Sequence, residues 1–274
     1  MEEELAKIGR ERYTPIEPPL PLLNEDPTML AIMINDVHYG AEMYQEDGEK
    51  RRFQEYAAQI KRISDRHHAS VGCVFLMGDL ISGMIHKSIQ VTNRESVITQ
   101  VMRVSELVAD FLYEMEHIFD EVRVYSVPGN HSRIDKKEDA LIVERLDDII
   151  YWYAKGVLAE HKKIGFWDSG STLCEAVMCK QRYVAVHGDY DEFTDAGCMK
   201  LVAYLGYKPK AVFYAHRHTI GMREYNGVMQ IQSGSMCGSG DDFTIRKRLT
   251  GDPALSVCVV TNDGIDALYP VNLS

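Results

Sequence analysis

Long apolar runs are missing from this chain, and none approaches the roughly 20 consecutive residues of a membrane-spanning helix. A secretory leader is not expected either. Met1-Glu2-Glu3-Glu4 is acidic and lacks the basic and apolar regions of a secretory signal. Cysteine pairs at metal or redox spacing are absent. The six cysteines (Cys73, Cys174, Cys179, Cys198, Cys237, Cys258) show no CxxC, and several sit inside apolar runs. Buried free thiols in a reducing compartment are therefore expected rather than disulfides. Positive charge is scarce: 30 Lys and Arg against 41 Asp and Glu leave a formal charge of -11. That balance argues against a broadly basic groove for nucleic acid, though not against a local one, and bound divalent cations would reverse the potential wherever acidic ligands cluster. A cytoplasmic protein with no membrane partner is the expectation.

What is present has the profile of a globular chain, 45% hydrophobic and 26% charged over 274 residues. Five of the prolines (Pro15, Pro18, Pro19, Pro21, Pro27) fall before the first apolar run, so residues 1–28 are expected to be a surface arm and 29–274 one domain. The run Met29 to Ile34 reads as a strand buried on both faces. A helix is expected from about Asp47 to His68, a strand over Cys73 to Met77, a long helix from Asn93 to Phe119, a strand over Val122 to Val127, and a helix from Lys136 to Glu160. Strand, loop and helix repeated three times mean a parallel βαβ sheet. Beyond Ile164 the pattern shifts to shorter runs: Arg182 to Val186, a helix near Ala196 to Leu205, Ala211 to Tyr214, and hairpins turning at Asn226-Gly227 and Asp263-Gly264. A parallel half followed by a hairpin half is expected.

Five apolar strands end in loops that carry, in order, Asp36-x-His38, Gly78-Asp79, Gly129-Asn130-His131, His187, and His216-x-His218. Singly most of these are weak signals. Gly-Asp occurs four times in the chain, whereas Gly-Asn-His is expected only about 0.02 times by chance at this composition. A lone histidine after a strand is usually a loop or core residue, and His67, His68, His86, His117 and His161 are assigned so. The ordered recurrence at strand ends, where open α/β sheets place their ligands, instead implies a metal site. Oxygen and imidazole donors without a thiolate suit Mn²⁺, Fe²⁺, Zn²⁺ or Co²⁺ rather than Cu(I) or Ca²⁺. Seven candidate donors are too many for one ion, and two ions sharing an aspartate accommodate them.

These motifs, D-x-H, G-D, G-N-H, H and an H-x-H, resemble the five motifs of the calcineurin-like metallophosphoesterases in their order, over about residues 29–235. Two positions depart: Ala215 stands for the glycine before His216, and Ser132 follows Gly-Asn-His where many members have Asp or Glu. The resemblance implies a four-layer αββα sandwich of two mixed β-sheets flanked by helices. It implies that Asp36, His38 and His218 hold a first metal, that Asn130, His187 and His216 hold a second, and that Asp79 bridges them. His131 would sit over the substrate as proton or hydrogen-bond donor. The cofactors expected are two divalent ions, Mn²⁺ foremost, and the reaction is attack of a metal-bridging hydroxide on a phosphodiester of nucleic acid or a nucleotide.

Within that reading a nuclease, like the double-strand-break repair nucleases of the family, competes with a hydrolase of small or cyclic nucleotides, which the acidic charge favours. Arg246-Lys247-Arg248 is the one basic cluster near the catalytic half, and a solvated surface run explains it equally well. A phosphomonoesterase is the alternative enzyme. A non-catalytic scaffold ranks last, because the family's degenerate members have lost ligands that this chain keeps. The wide apolar stripe over 97–115, broadened by Ile98, Met102 and Leu107, suggests a helical homodimer contact beside its role in the core.

Overall fold

Met29–Ile34 (β1) is buried at every position, and its period of two divides the side chains between two cores. Leu30, Ile32 and Ile34 face a layer of helices, while Met29, Ala31 and Met33 face a second sheet. A strand apolar on both faces can be satisfied only in the middle of such a stack. The computed structural model describes residues 27–44, 47–85, 87–135, 137, 139–167, 172–239 and 250–274. Nearly all of the proline-rich arm, His86 and the Arg246-Lys247-Arg248 cluster lie outside the described residues.

The helices of the first half are α1 (Gly48–His67), α2 (Lys87–Thr92), α3 (Val97–Ile118) and α4 (Leu146–Val157). They alternate with β2 (Val71–Leu76), β3 (Glu121–Ser126) and β4 (Ile164–Trp167). The second half holds β5 (Leu173–Met178), β6 (Gln181–Val186), α5 (Asp195–Leu205), β7 (Ala211–Tyr214), β8 (Gly221–Tyr225), β9 (Val228–Gln232), β10 (Ala254–Thr261) and β11 (Gly264–Asn272). The first sheet has the order β11-β10-β1-β2-β3-β4 and the second β5-β6-β7-β9-β8. Phe53, Tyr56 and Ile60 of α1 and Val104, Val108 and Leu112 of α3 cover the outer face of the first sheet. Cys198 and Leu201 of α5 cover the second. Between the sheets, Phe75 stacks on Tyr125 (centroids 5.1 Å apart) and meets the edge of Phe213 across the gap (5.3 Å). The result is the αββα sandwich, both sheets mixed.

The halves expected from the sequence are not the sheets. The β10–β11 hairpin returns to the first sheet, antiparallel to β1, because β1 would otherwise leave an unpaired edge at the centre of the core. In the second sheet β6, β7 and β9 run parallel. The turn at Asn226-Gly227 forms as expected, both residues taking positive φ (50° and 74°). The helix expected from Lys136 instead begins at Leu146. Before it, Arg133 and Arg145 form an isolated antiparallel bridge, and the Leu146 N–H donates to Ser132 O (2.8 Å). All six cysteines are buried and free. No helix among the described residues is long and apolar enough to cross a membrane.

Candidate metal centre

The last residues of β1, β2 and β3, Ile34, Leu76 and Ser126, are register partners, so three loops leave the first sheet at one level. Pairing continues past the strands: Asp36 N–H donates to Gly78 O (3.1 Å) and His38 N–H to Asp79 O (3.0 Å). The second sheet contributes the loops after β6 and β7, joined where Ala215 N–H donates to His187 O (2.9 Å). All eight predicted site residues arrive at this one end of the sandwich. Ala215, in place of the expected glycine, is absent from the residues of positive φ, so its methyl costs no backbone strain.

Asp36 and Asp79, both buried, each have one oxygen engaged by a backbone N–H and one turned toward the histidines. Asp36 Oδ2 accepts from Asn35 Nδ2 (2.7 Å) and from the His216 N–H (3.0 Å). Its Oδ1 has no aligned donor and lies 3.2 Å from His218 Nε2 and 3.8 Å from His38 Nε2. Asp79 Oδ1 accepts the His131 N–H (2.7 Å), and its Oδ2 lies 3.2 Å from His187 Nε2. The imidazoles are aimed in the same way. His187 Nδ1 and His131 Nδ1 each lie 2.7 Å from a carbonyl, of Met77 and Ser82 respectively. A carbonyl only accepts, so both Nδ1 atoms carry a proton and Nε2 is the nitrogen turned into the site. His187 Nε2 is 3.1 Å from Asn130 Oδ1, and the His38 and His131 rings meet edge-on at 4.4 Å.

The electrostatics are those of a cation site. Burial would raise both aspartates, but His218 holds Asp36 and His187 holds Asp79 well below the usual carboxylate range. Burial would lower His187, yet Asp79 pushes it up to about 10, and Asp36 overrides burial at His218 in the same sense. His38 goes the other way: burial and then His131 bring it down to about 4. Burial and His187 lower His216. Each of the two carboxylates thus has an imidazole beside it whose pKa it raises.

Strain is concentrated at the same residues. Asp36, His38, Asp79, His216 and His218 all have positive φ, between 48° and 69°, and they make up half of the ten non-glycine residues with positive φ among those described. Left-handed backbone costs an L-residue about 1 kcal/mol or more, and five such positions at one site mark geometry set by function. Asp147, which carries no motif, lies beneath them. Its side chain, 1% exposed, accepts from Gly129 N–H (2.8 Å), Asp79 N–H (3.2 Å) and Leu80 N–H (3.3 Å). Burial raises its pKa. Arg133, buried, and Asp189, half-buried, form an ion pair that ties the Gly-Asn-His loop to the loop after His187. Nothing in the spacing of these residues pointed to their meeting.

An αββα sandwich with histidines and carboxylates converging at the strand ends defines a class of phosphoester hydrolases. The chain belongs to the calcineurin-like phosphoesterase family, whose model matches residues 29–227. No curated protein matches it in sequence. Among solved structures, an archaeal phosphodiesterase is similar at 12% identity, with 89% of this chain and 100% of that one covered and a TM-score of 0.46. Vacuolar protein sorting 29 of Cryptosporidium parvum is similar at 14% identity, 91% and 93% coverage and a TM-score of 0.49. Zn²⁺-bound Vps29 of Entamoeba histolytica is similar at 12% identity, 89% and 100% coverage and a TM-score of 0.43.

The family implies divalent ions, and the donors here fit them. His38, Asp79 and His131 form one group, and Asp79, His187 and His216 another, with ligand atoms within 4.8 Å of one another in each. Hard oxygens and imidazoles meet without an Arg or Lys among them, and the orphaned Asp36 Oδ1 faces inward.

Proposed function

We propose that the chain is a two-metal phosphodiester hydrolase acting on nucleic acid or nucleotide phosphodiesters. The observation that carries this reading is Asp79, common to two of the three donor groups among the described residues, since a centre for two cations needs one carboxylate that faces both. In this reading Asp36, His38 and His218 hold the first ion, Asn130, His187 and His216 the second, and Asp79 lies between them. When bound, the ions supply a water of lowered pKa and neutralise charge on the phosphoryl oxygens, with Mn²⁺ expected first and Fe²⁺, Zn²⁺ or Co²⁺ as alternatives. His131 handles the proton. The Ser82 carbonyl holds its Nδ1–H at 2.7 Å and so orients the ring with Nε2 toward the site. Nε2 then donates to the leaving oxygen or the phosphate. The His131 N–H on Asp79 Oδ1 fixes this acid relative to the shared carboxylate.

The test is hydrolysis by the Mn²⁺-loaded chain of a panel holding linear DNA, cyclic nucleotides, and bis- and mono-p-nitrophenyl phosphate. Preference for diesters supports the proposal. Preference for the monoester makes the protein a phosphomonoesterase, and no hydrolysis at all makes it a scaffold. His131→Asn should keep both metals by elemental analysis and lose about 10²-fold or more in diester turnover, and full activity in that variant refutes its role. Asp79→Asn should instead lose metal. For a partner we propose a second copy of the chain, in a reducing compartment matched to six free thiols. Ile98 and Met102 on α3 are 67% and 63% exposed. Sedimentation showing a single monomeric species at micromolar protein removes that idea.

A further inference from the structure

The donor set read from the motifs contains no sulfur, yet a thiol stands beside the first-ion position. Cys237 lies beyond β9 in a segment laid along the Asp36 loop. Its N–H donates to Asp36 O (3.1 Å), and Ser235 Oγ reaches the same carbonyl (3.3 Å) and Cys237 Sγ (3.0 Å). Cys237 Sγ and ring nitrogens of His38 and His218 all lie within 4.8 Å of one another, with Cys237 2% exposed. Cys237 also packs on Ala41 and Tyr44, but the other five cysteines lie in the larger apolar clusters and in none of the candidate ligand groups among the described residues.

The distances around this thiol have the form of a coordination shell. His38 Nε2 to His218 Nε2 is 3.2 Å, His218 Nε2 to Asp36 Oδ1 is 3.2 Å, and His38 Nε2 to Asp36 Oδ1 is 3.8 Å. A tetrahedral ion with nitrogen or oxygen donors at about 2.0 Å and sulfur at about 2.3 Å holds those donors some 3.3–3.6 Å apart. Three vertices of such a figure are therefore in place. The inward Asp36 Oδ1 is buried without a hydrogen-bond partner, as a ligand atom kept for a cation would be. Cys237 Sγ, within 4.8 Å of the two imidazole nitrogens, is the atom available for the fourth vertex.

We propose that Cys237 is a thiolate ligand of the ion held by Asp36, His38 and His218. The inference rests on the two-metal reading and sharpens it. On binding, a sulfur–metal bond forms and the thiol proton passes to solvent, so no oxidant or reductant is needed. The two positions then differ in kind. The first, with a soft donor, favours Zn²⁺, Fe²⁺ or Co²⁺ over Mn²⁺, while the second, built from Asn130, His187, His216 and Asp79, is left to harder ions.

The test is Co²⁺ titration of the full chain after chelator treatment, following visible ligand-field bands, near-ultraviolet thiolate-to-cobalt charge transfer, and Co²⁺ bound per chain. Two equivalents should bind, with the charge-transfer band growing alongside only one of them. Cys237→Ser should bind Co²⁺ without that band, and its preference for Zn²⁺ over Mn²⁺ at the first position should fall by about tenfold or more. Should that variant misfold, X-ray absorption at the cobalt edge of the unaltered protein decides, by the presence or absence of sulfur at about 2.3 Å. Two bound equivalents with neither band nor sulfur scattering overturn the inference and leave the two-metal reading standing. A band that survives in a folded Cys237→Ser overturns it as well. Failure to bind two equivalents overturns the two-metal reading and this inference with it.

Discussion

Three backbone N–H groups, from residues far apart in the chain, end on the Asp147 carboxylate. Those of Asp79 and Leu80 come from the loop after β2 and that of Gly129 from the loop after β3. Ser132, at a position where the resemblance led one to look for an acid, donates its hydroxyl to Gly129 O (2.9 Å). The acid under this loop is supplied from α4 instead, by a residue whose position in sequence announces nothing. Asp147→Ala would leave those donors buried without an acceptor, at a cost of roughly 3 kcal/mol. For a chain of this size that is a fall in Tm of about 6–12 °C. It should also reduce metal content, because the donors position Gly129-Asn130-His131 and Asp79. Asp147→Asn keeps one acceptor oxygen and should cost less than half as much. Thermal unfolding and elemental analysis of the two variants check this, and an alanine variant with unchanged Tm would show that water replaces the carboxylate.

Among the elements, the close approach of the β2 and β3 loops depends on two glycines. A Cβ on Gly78, at φ +83°, would lie 2.2 Å from Gly129 N, and one on Gly129 would lie 2.2 Å from Asp79 Oδ1. Neither clash is with a flexible chain end, so the loops themselves must separate. Gly78→Ala should destabilise by roughly 3 kcal/mol, overpacking and left-handed strain together, and should lower metal occupancy. Normal stability and full occupancy would mean that the loops shift at no cost. What the sequence shows and hides follows the same division. Strands such as Met29–Ile34 and helices such as Gly48–His67 announce themselves by period, and the five loops by ligand types that recur at strand ends. β4 is hidden because it has only four residues, and β5 because it alternates modestly at a sheet edge. The start of α4 is hidden because extended pairing through Arg133 and Arg145 overrides local preference. Asp147 and Cys237 are hidden because their partners are assembled by tertiary contact alone.

Across the whole molecule, each proposed ion position spans both sheets. Asp36 and His38 follow β1 of the first sheet, whereas His218 follows β7 of the second. Asn130 follows β3 in the first sheet, while His187 and His216 follow β6 and β7 in the second. The apolar layer between the sheets holds their faces together, but at the strand ends polar loops meet, and five left-handed motif residues, the buried Asp36 and Asp79 among them, are gathered there. At that end the Asp79 and Asp36 carboxylates raise the pKa of the His187 and His218 imidazoles against them. A cation in each position would balance the same charge and cross-link the sheets, and it would do so only in the folded state. Linkage then requires stabilisation by about 2.7 kcal/mol for each site loaded at a hundred times its Kd, or some 5–10 °C in Tm per site. Chelation should therefore lower Tm by that amount or more. Hydrogen exchange should rise in the loops after β1, β2, β3, β6 and β7, with the strands between the sheets keeping their protection. A chelated protein with the same Tm and the same loop protection would mean that the loops are rigid without ions, and that the left-handed residues are held by the backbone bonds between loops alone.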